Sequence, residues 1–133
     1  MKKVVKRIMS FIAAMILVFN FTILAFADTS MGNGAFQDCH YSTYTDCGRY
    51  HYNSIMELQY CTNGADWRDY SFKINVRVFV PDSLTGDAPL GTIYGTAATN
   101  MATNYSEFER QLHHVVAFYY VNSIEDGDAT VYV

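Results

Sequence analysis

Positive charge is scarce in this chain once its first residues are passed. Four of the nine Lys and Arg are Lys2, Lys3, Lys6 and Arg7, so residues 28–133 keep Arg49, Arg68, Lys73, Arg77 and Arg110 against all thirteen Asp and Glu, a formal charge of 5 − 13 = −8. A body that acidic repels phosphate backbones and anionic lipid heads, which argues against nucleic-acid binding and against electrostatic adhesion to membranes. Metal-ligand spacing is missing too. There is no Cys-x-x-Cys or His-x-x-x-His pair, and the acids Glu125, Asp126 and Asp128 do not follow the order of an EF-hand loop. No metal and no cofactor is therefore expected. Two prolines occur, Pro81 and Pro89, and with Gly86 and Gly91 they mark residues 81–91 as a loop.

Cysteine is sparse and odd in number. Three thiols, Cys39, Cys47 and Cys61, cannot all pair within one chain, so a single disulfide leaves a buried free cysteine or a bridge between two chains, and a homodimer is one expectation. Cys39 and Cys61 fall in expected strands and Cys47 in a turn, which favours the Cys39–Cys61 pairing. No cysteine directly follows Ala27, where Asp28 stands, so a lipoprotein anchor is not indicated.

What the chain does have begins at its N-terminus. A basic start, an apolar run from Ile8 to Leu24 and the small residues of Ala25-Phe26-Ala27 before Asp28 form the pattern of a secretory signal peptide cut after Ala27. The remaining 133 − 27 = 106 residues make one domain of ordinary size. The expected layout is a cleaved signal over 1–27, a flexible mature N-terminus over 28–35 and a single domain over 36–133. The expected location is extracellular or at the cell surface of a bacterium, without membrane association after cleavage.

The body reads as strands. From Tyr70 to Val80, Tyr70, Phe72, Ile74, Val76, Val78 and Val80 alternate with more polar residues, the period of two of a half-buried strand. Residues 49–60 repeat the pattern, and the loop 61–69 between them suggests that the two strands pair as antiparallel neighbours. Asp126-Gly127 supplies the signal of a two-residue hairpin turn. It sets a register in which Val116, Phe118, Tyr120, Val131 and Val133 share one face and Val115, Ala117, Tyr119, Val121 and Tyr132 the other. With both faces apolar, the strand over 113–123 should be central in its sheet or covered on its second face. Residues 92–100 suggest a further strand, and Ser106 with Glu109 a capping box, hence a short helix around 104–112. The expected fold is mainly β, a small antiparallel sandwich of about five to seven strands.

Candidate chemistry is local and weak. His40, His51, His113 and His114 could ligate a metal, but adjacent His113 and His114 point to opposite faces if they lie in a strand. Cys39-His40 diverge for the same reason, so no Cys-His nucleophile is expected. Asp66 and Asp69 flank Trp67, yet a glycosidase needs two carboxyls across a cleft, and these form a loop cluster. The chain is read as leaning away from catalysis.

Aromatic residues carry the functional expectation. The chain has eleven Tyr and one Trp, and tyrosine joins a flat apolar ring to a polar tip at low entropic cost, which favours it at binding surfaces. Tyr50, Tyr52 and Tyr60 lie in the cysteine region, and Trp67 with Arg68 in the next loop; these five are the candidate ligand contacts. The expected role is an extracellular recognition or adhesion module for glycan or protein, with a secreted effector or bacteriocin-like toxin as the alternative. A signal peptide followed by a short Tyr-rich β body is similar in outline to small exported proteins of Gram-positive bacteria, some of them bacteriocins of β-sandwich type. That likeness concerns architecture alone.

Overall fold

The structure, a computed structural model, describes residues 28–133; the signal-peptide pattern over 1–27 lies outside them. Among the described residues, eight strands form two four-stranded antiparallel sheets. Strands β1 (Asp28–Phe36), β2 (Cys39–Cys47), β3 (His51–Cys61) and β6 (Met101–Glu107) stand in the order β1-β2-β3-β6. Strands β4 (Phe72–Asp82), β5 (Gly86–Ile93), β7 (His114–Val121) and β8 (Ile124–Tyr132) stand in the order β5-β4-β7-β8. The only helical element among the described residues is a 3₁₀ turn, Trp67–Asp69. No helix among them is long and apolar enough to cross a membrane.

The alternation that marks β4 also builds the core. Phe72, Ile74, Val76, Val78 and Val80 are all buried. Together with Val115, Ala117, Tyr119, Val121 and Val131 beside them in their own sheet, they pack against Tyr41, Tyr52 and Met56 of the first. β7 is central in its sheet, between β4 and β8. Buried hydroxyls inside the sandwich pair with one another. Thr45 hydrogen-bonds Ser54 at 2.7 Å and also meets the Tyr119 hydroxyl.

The strand count exceeds the five to seven expected because two low-apolarity segments pair at sheet edges. Residues 28–35, expected to be flexible, form β1, with an unbroken ladder to β2 from Asp28↔Cys47 to Phe36↔Cys39. Gly34 stands opposite Tyr41 in that ladder, and the Tyr41 ring lies so close over it that an added Cβ would sit 2.2 Å away. The ring covers backbone that glycine leaves bare, the device by which an aromatic rescues an edge glycine. Likewise residues 81–91, expected to be a loop, supply the end of β4 and most of β5. Pro89 is tolerated there because β5 is an edge strand with no second neighbour needing its N–H.

Three further expectations are corrected. No helix forms around 104–112. β6 pairs with β3 instead, burying Ala102 and Asn104 at period two, and the ladder outweighs a lone capping pattern among Thr and Asn residues that favour helix poorly. Strands β3 and β4 are not paired, since loop 62–71 carries the chain from one sheet to the other. The β7–β8 turn is Asn122-Ser123, both at positive φ (50° and 66°), with Val121↔Ile124 closing it. Asp126 is the extra residue of a bulge, as Tyr119 pairs Gly127 while Tyr120 pairs Glu125. The bulge turns the Asp126 carboxylate toward the Tyr41 hydroxyl, which donates to it.

Candidate functional site

The disulfide end of the sandwich gathers the aromatic candidates that survive folding. Cys39 and Cys61 are bonded and face each other across β2 and β3, as their expected strand positions favoured. The third cysteine, Cys47, is free and fully buried, at the end of β2 rather than in a turn. A bridge between two chains through it therefore requires that end of β2 to open. Beside the disulfide, Tyr60 is 56% exposed and stacks on His40, with ring centroids 4.5 Å apart and planes 17° from parallel. The two rings are part of a groove of about 320 Å³ lined by Asn33, Gly34, His40, Tyr41, Gln59 and Tyr60. Gln59 donates its amide N–H to Ser42 at 2.9 Å, which fixes its orientation on the strand surface.

Trp67 follows Tyr60 through the loop at this same end and is 40% exposed. Its 3₁₀ turn is capped by Asp66, whose carboxylate accepts from the Arg68 backbone N–H at 3.0 Å and from Arg68 Nε at 3.2 Å. The backbone hydrogen bond is the first reason that the Asp66 carboxyl sits below its ordinary pKa, with the side-chain contacts to Arg68 adding to it. The Arg68 guanidinium lies over the indole, 5.6 Å from its centroid, so one face of Trp67 is held while part of the ring stays exposed.

The other two candidates part company with this end. Tyr52 is fully buried and belongs to the core, so its ring touches no ligand. Tyr50 is 48% exposed but sits in the β2–β3 turn at the opposite end. It is separated from Tyr60 by nearly the whole of β3, which at eleven residues is about 35 Å of strand. The five candidates therefore resolve into Tyr60 stacked on His40, Trp67 with Arg68 on the neighbouring turn, a core tyrosine in Tyr52 and a remote turn residue in Tyr50.

At that remote end the structure assembles a cluster that the sequence pattern hid. His113 and His114 do not diverge: their Nδ1 atoms approach to 2.8 Å. The rule of opposite faces applies within a strand, and β7 starts only at His114. His113 lies just before it, fixed by its N–H to the Phe79 carbonyl at 2.8 Å and by its carbonyl to the Val133 N–H at 3.1 Å. The Asp87 carboxylate stands 3.2 Å from His114 Nδ1 and 3.7 Å from His113 Nδ1. Phe79, His114 and Tyr132 are register partners in one row across β4, β7 and β8. The His114 ring accordingly stacks on Phe79 at 4.2 Å and leans on Tyr132 at 5.0 Å, which leaves it only 7% exposed. That burial, ahead of the opposing pull of Asp87, lowers the His114 pKa.

Compared with known proteins, the chain matches no family model, no curated protein and no solved structure.

Proposed function

We propose that this protein is an exported recognition module that binds a neutral glycan at the disulfide end of the sandwich. The observation that carries the reading is the His40–Tyr60 stack, a flat, half-exposed aromatic platform beside the amides of Asn33 and Gln59 in one groove. Sugar rings present apolar faces that lie on aromatic rings and hydroxyls that exchange hydrogen bonds with amides, and the groove offers both. No Asp, Glu, Lys or Arg lines it, and the acidic body of the chain disfavours an anionic ligand. Trp67, on the neighbouring 3₁₀ turn, is the second aromatic contact. Export is supported by the signal pattern over residues 1–27 and by the Cys39–Cys61 disulfide, a bond that persists in oxidising compartments.

The test is retention of the purified protein on intact bacterial cells and isolated cell walls, with Tyr60→Ala and Trp67→Ala run beside it. Saturable retention that soluble wall saccharides displace and that Tyr60→Ala weakens by about three- to tenfold is expected, the loss of one aromatic contact. Retention abolished by protease treatment of the target and unaffected by saccharides would assign a protein partner instead. Killing of cells without saturable retention would favour the effector reading.

A further inference from the structure

We propose that Asp87, His113 and His114 form a binding site for one divalent transition cation of the Zn²⁺ class, with three protein donors and a fourth position open to solvent. The site lies at the opposite end of the sandwich from the His40–Tyr60 groove and does not rest on that reading.

The donor set is the first argument. Two imidazole nitrogens and one carboxylate oxygen, all within 4.8 Å of one another, are the ligands that Zn²⁺ and its neighbours take in sites that keep one position free. Geometry is the second. Bonds of about 2.0–2.1 Å at tetrahedral angles place ligand atoms about 3.3–3.4 Å apart. The two Nδ1–carboxylate separations, 3.2 and 3.7 Å, already bracket that edge. The Nδ1–Nδ1 separation of 2.8 Å is that of a hydrogen bond, which a neutral pair makes when one ring carries its proton on Nδ1 and the other presents a lone pair. A cation that takes the place of this single proton needs the rings to part by only about half an ångström.

Preorganisation is the third argument. Two strands of one sheet and the residue before one of them present the donors: β5 holds Asp87, the start of β7 holds His114, and His113 is tied by backbone bonds to Phe79 of β4 and to Val133 just past β8. His114 cannot swing away, being clasped between Phe79 and Tyr132. His113 and Asp87, whose side chains are 36% and 34% exposed, face solvent and give the ion both its entry path and its open position.

The experiment is a titration of the chelator-stripped protein with ZnCl₂ against a chromophoric competitor. It is run on the unsubstituted chain, on His113→Gln and Asp87→Asn, and on His51→Gln as control. Imidazole nitrogen shifts are recorded by NMR on the unsubstituted protein. One equivalent of Zn²⁺ is expected, with affinity reduced on the order of tenfold to hundredfold in the two site variants and unchanged in the control. The Nδ1 signals that move should be those of His113 and His114. Absence of a one-equivalent site, binding indifferent to both substitutions, or shifts confined to His40 and His51 would overturn the proposal. Should a variant fail to fold, the nitrogen shifts of the unsubstituted protein decide alone.

Discussion

The Tyr52 hydroxyl donates to the side-chain carbonyl of Asn104 at 2.7 Å, and this one bond completes a junction between the two sheets. The Asn104 amide nitrogen donates to the Ile74 carbonyl at 2.9 Å and to the Ile93 carbonyl at 3.0 Å, so a β6 side chain of the first sheet satisfies two backbone acceptors of the second. Every polar atom of a buried amide is used, which is the condition under which such a group is tolerated inside a core.

Tyr52→Phe leaves the Asn104 carbonyl buried and without its donor, and should lower stability by about 1–3 kcal/mol with no effect on retention by target cells. Asn104→Asp should cost at least as much, because it removes both N–H donors and aims a carboxylate at two carbonyl oxygens. Urea denaturation checks both. A Tyr52→Phe protein as stable as its parent would show that the junction contributes nothing.

The core strands were legible because their chemistry is local: in β4 the alternation from Phe72 to Val80 is itself the packing pattern. β1 and β5 were hidden because an edge strand draws its stability from ladder hydrogen bonds to a neighbour, which leave little trace in composition. Phe118 was assigned to a face with Val131 by the Asp126-Gly127 register. The extra residue of the Asp126 bulge shifts the rest of β8 by one, so Val131 stands opposite Val115 and is buried while Phe118 is half-exposed. The aromatic candidates were found as a residue type but not as a set, since a strand separates in space what it keeps close in sequence. His113 and His114 were visible as a pair. Asp87, twenty-six residues before His113, carries no signal that could join it to them.

The turn itself can be tested. Asn122 is anchored, its N–H donating to the Ser71 carbonyl and its side-chain oxygen accepting from the Ser71 N–H, both at 2.9 Å. Ser123 holds a φ of 66°, which only glycine adopts freely, and Asn-Gly is the preferred pair for such a turn. Ser123→Gly should therefore raise stability by about 0.5–1 kcal/mol. Gly127→Ala should be tolerated, since Gly127 is not the turn and its nearest neighbours are 3.9 Å away. A destabilised Ser123→Gly protein, read by thermal unfolding, would contradict this register.

Alkaline pH should weaken the fold, starting with Cys47. Burial, with the nearby Asp46 and Asp28 carboxylates adding to it, pushes this thiol from its ordinary value of 9.0 up to about 12. Between those values the unfolded chain releases a proton that the folded chain retains. Stability that is fully present below pH 9.0 is thus lost progressively as pH rises through the window. Burial of Tyr41 and Tyr52 raises their hydroxyls above 10.0 and extends the loss in the same direction. The urea midpoint of the parent should fall above pH 9.0, while Cys47→Ala should decline more shallowly over the first part of the range. Parallel pH profiles for the two proteins would remove Cys47 from the explanation.

Glycine spacing in β1 should separate two substitutions of equal chemistry. Gly32 and Gly34 point to the same side of the strand, but a Cβ on Gly34 would meet the Tyr41 ring at 2.2 Å, while one on Gly32 would meet Thr43 Oγ1 at 3.1 Å. The Tyr41 ring has nowhere to retreat, being 3% exposed, packed on Phe72 at 5.9 Å and tethered through its hydroxyl to Asp126. Gly34→Ala should thus cost about 1–3 kcal/mol, the range for overpacking a filled site. Gly32→Ala, whose neighbour needs to yield only a few tenths of an ångström, should cost less. Because Gly34 and Tyr41 also line the groove beside Tyr60, Gly34→Ala should weaken retention on target cells while Gly32→Ala leaves it intact. Equal stabilities, measured by urea denaturation, would mean that β1 is held by its ladder alone and that the ring over Gly34 contributes nothing to it.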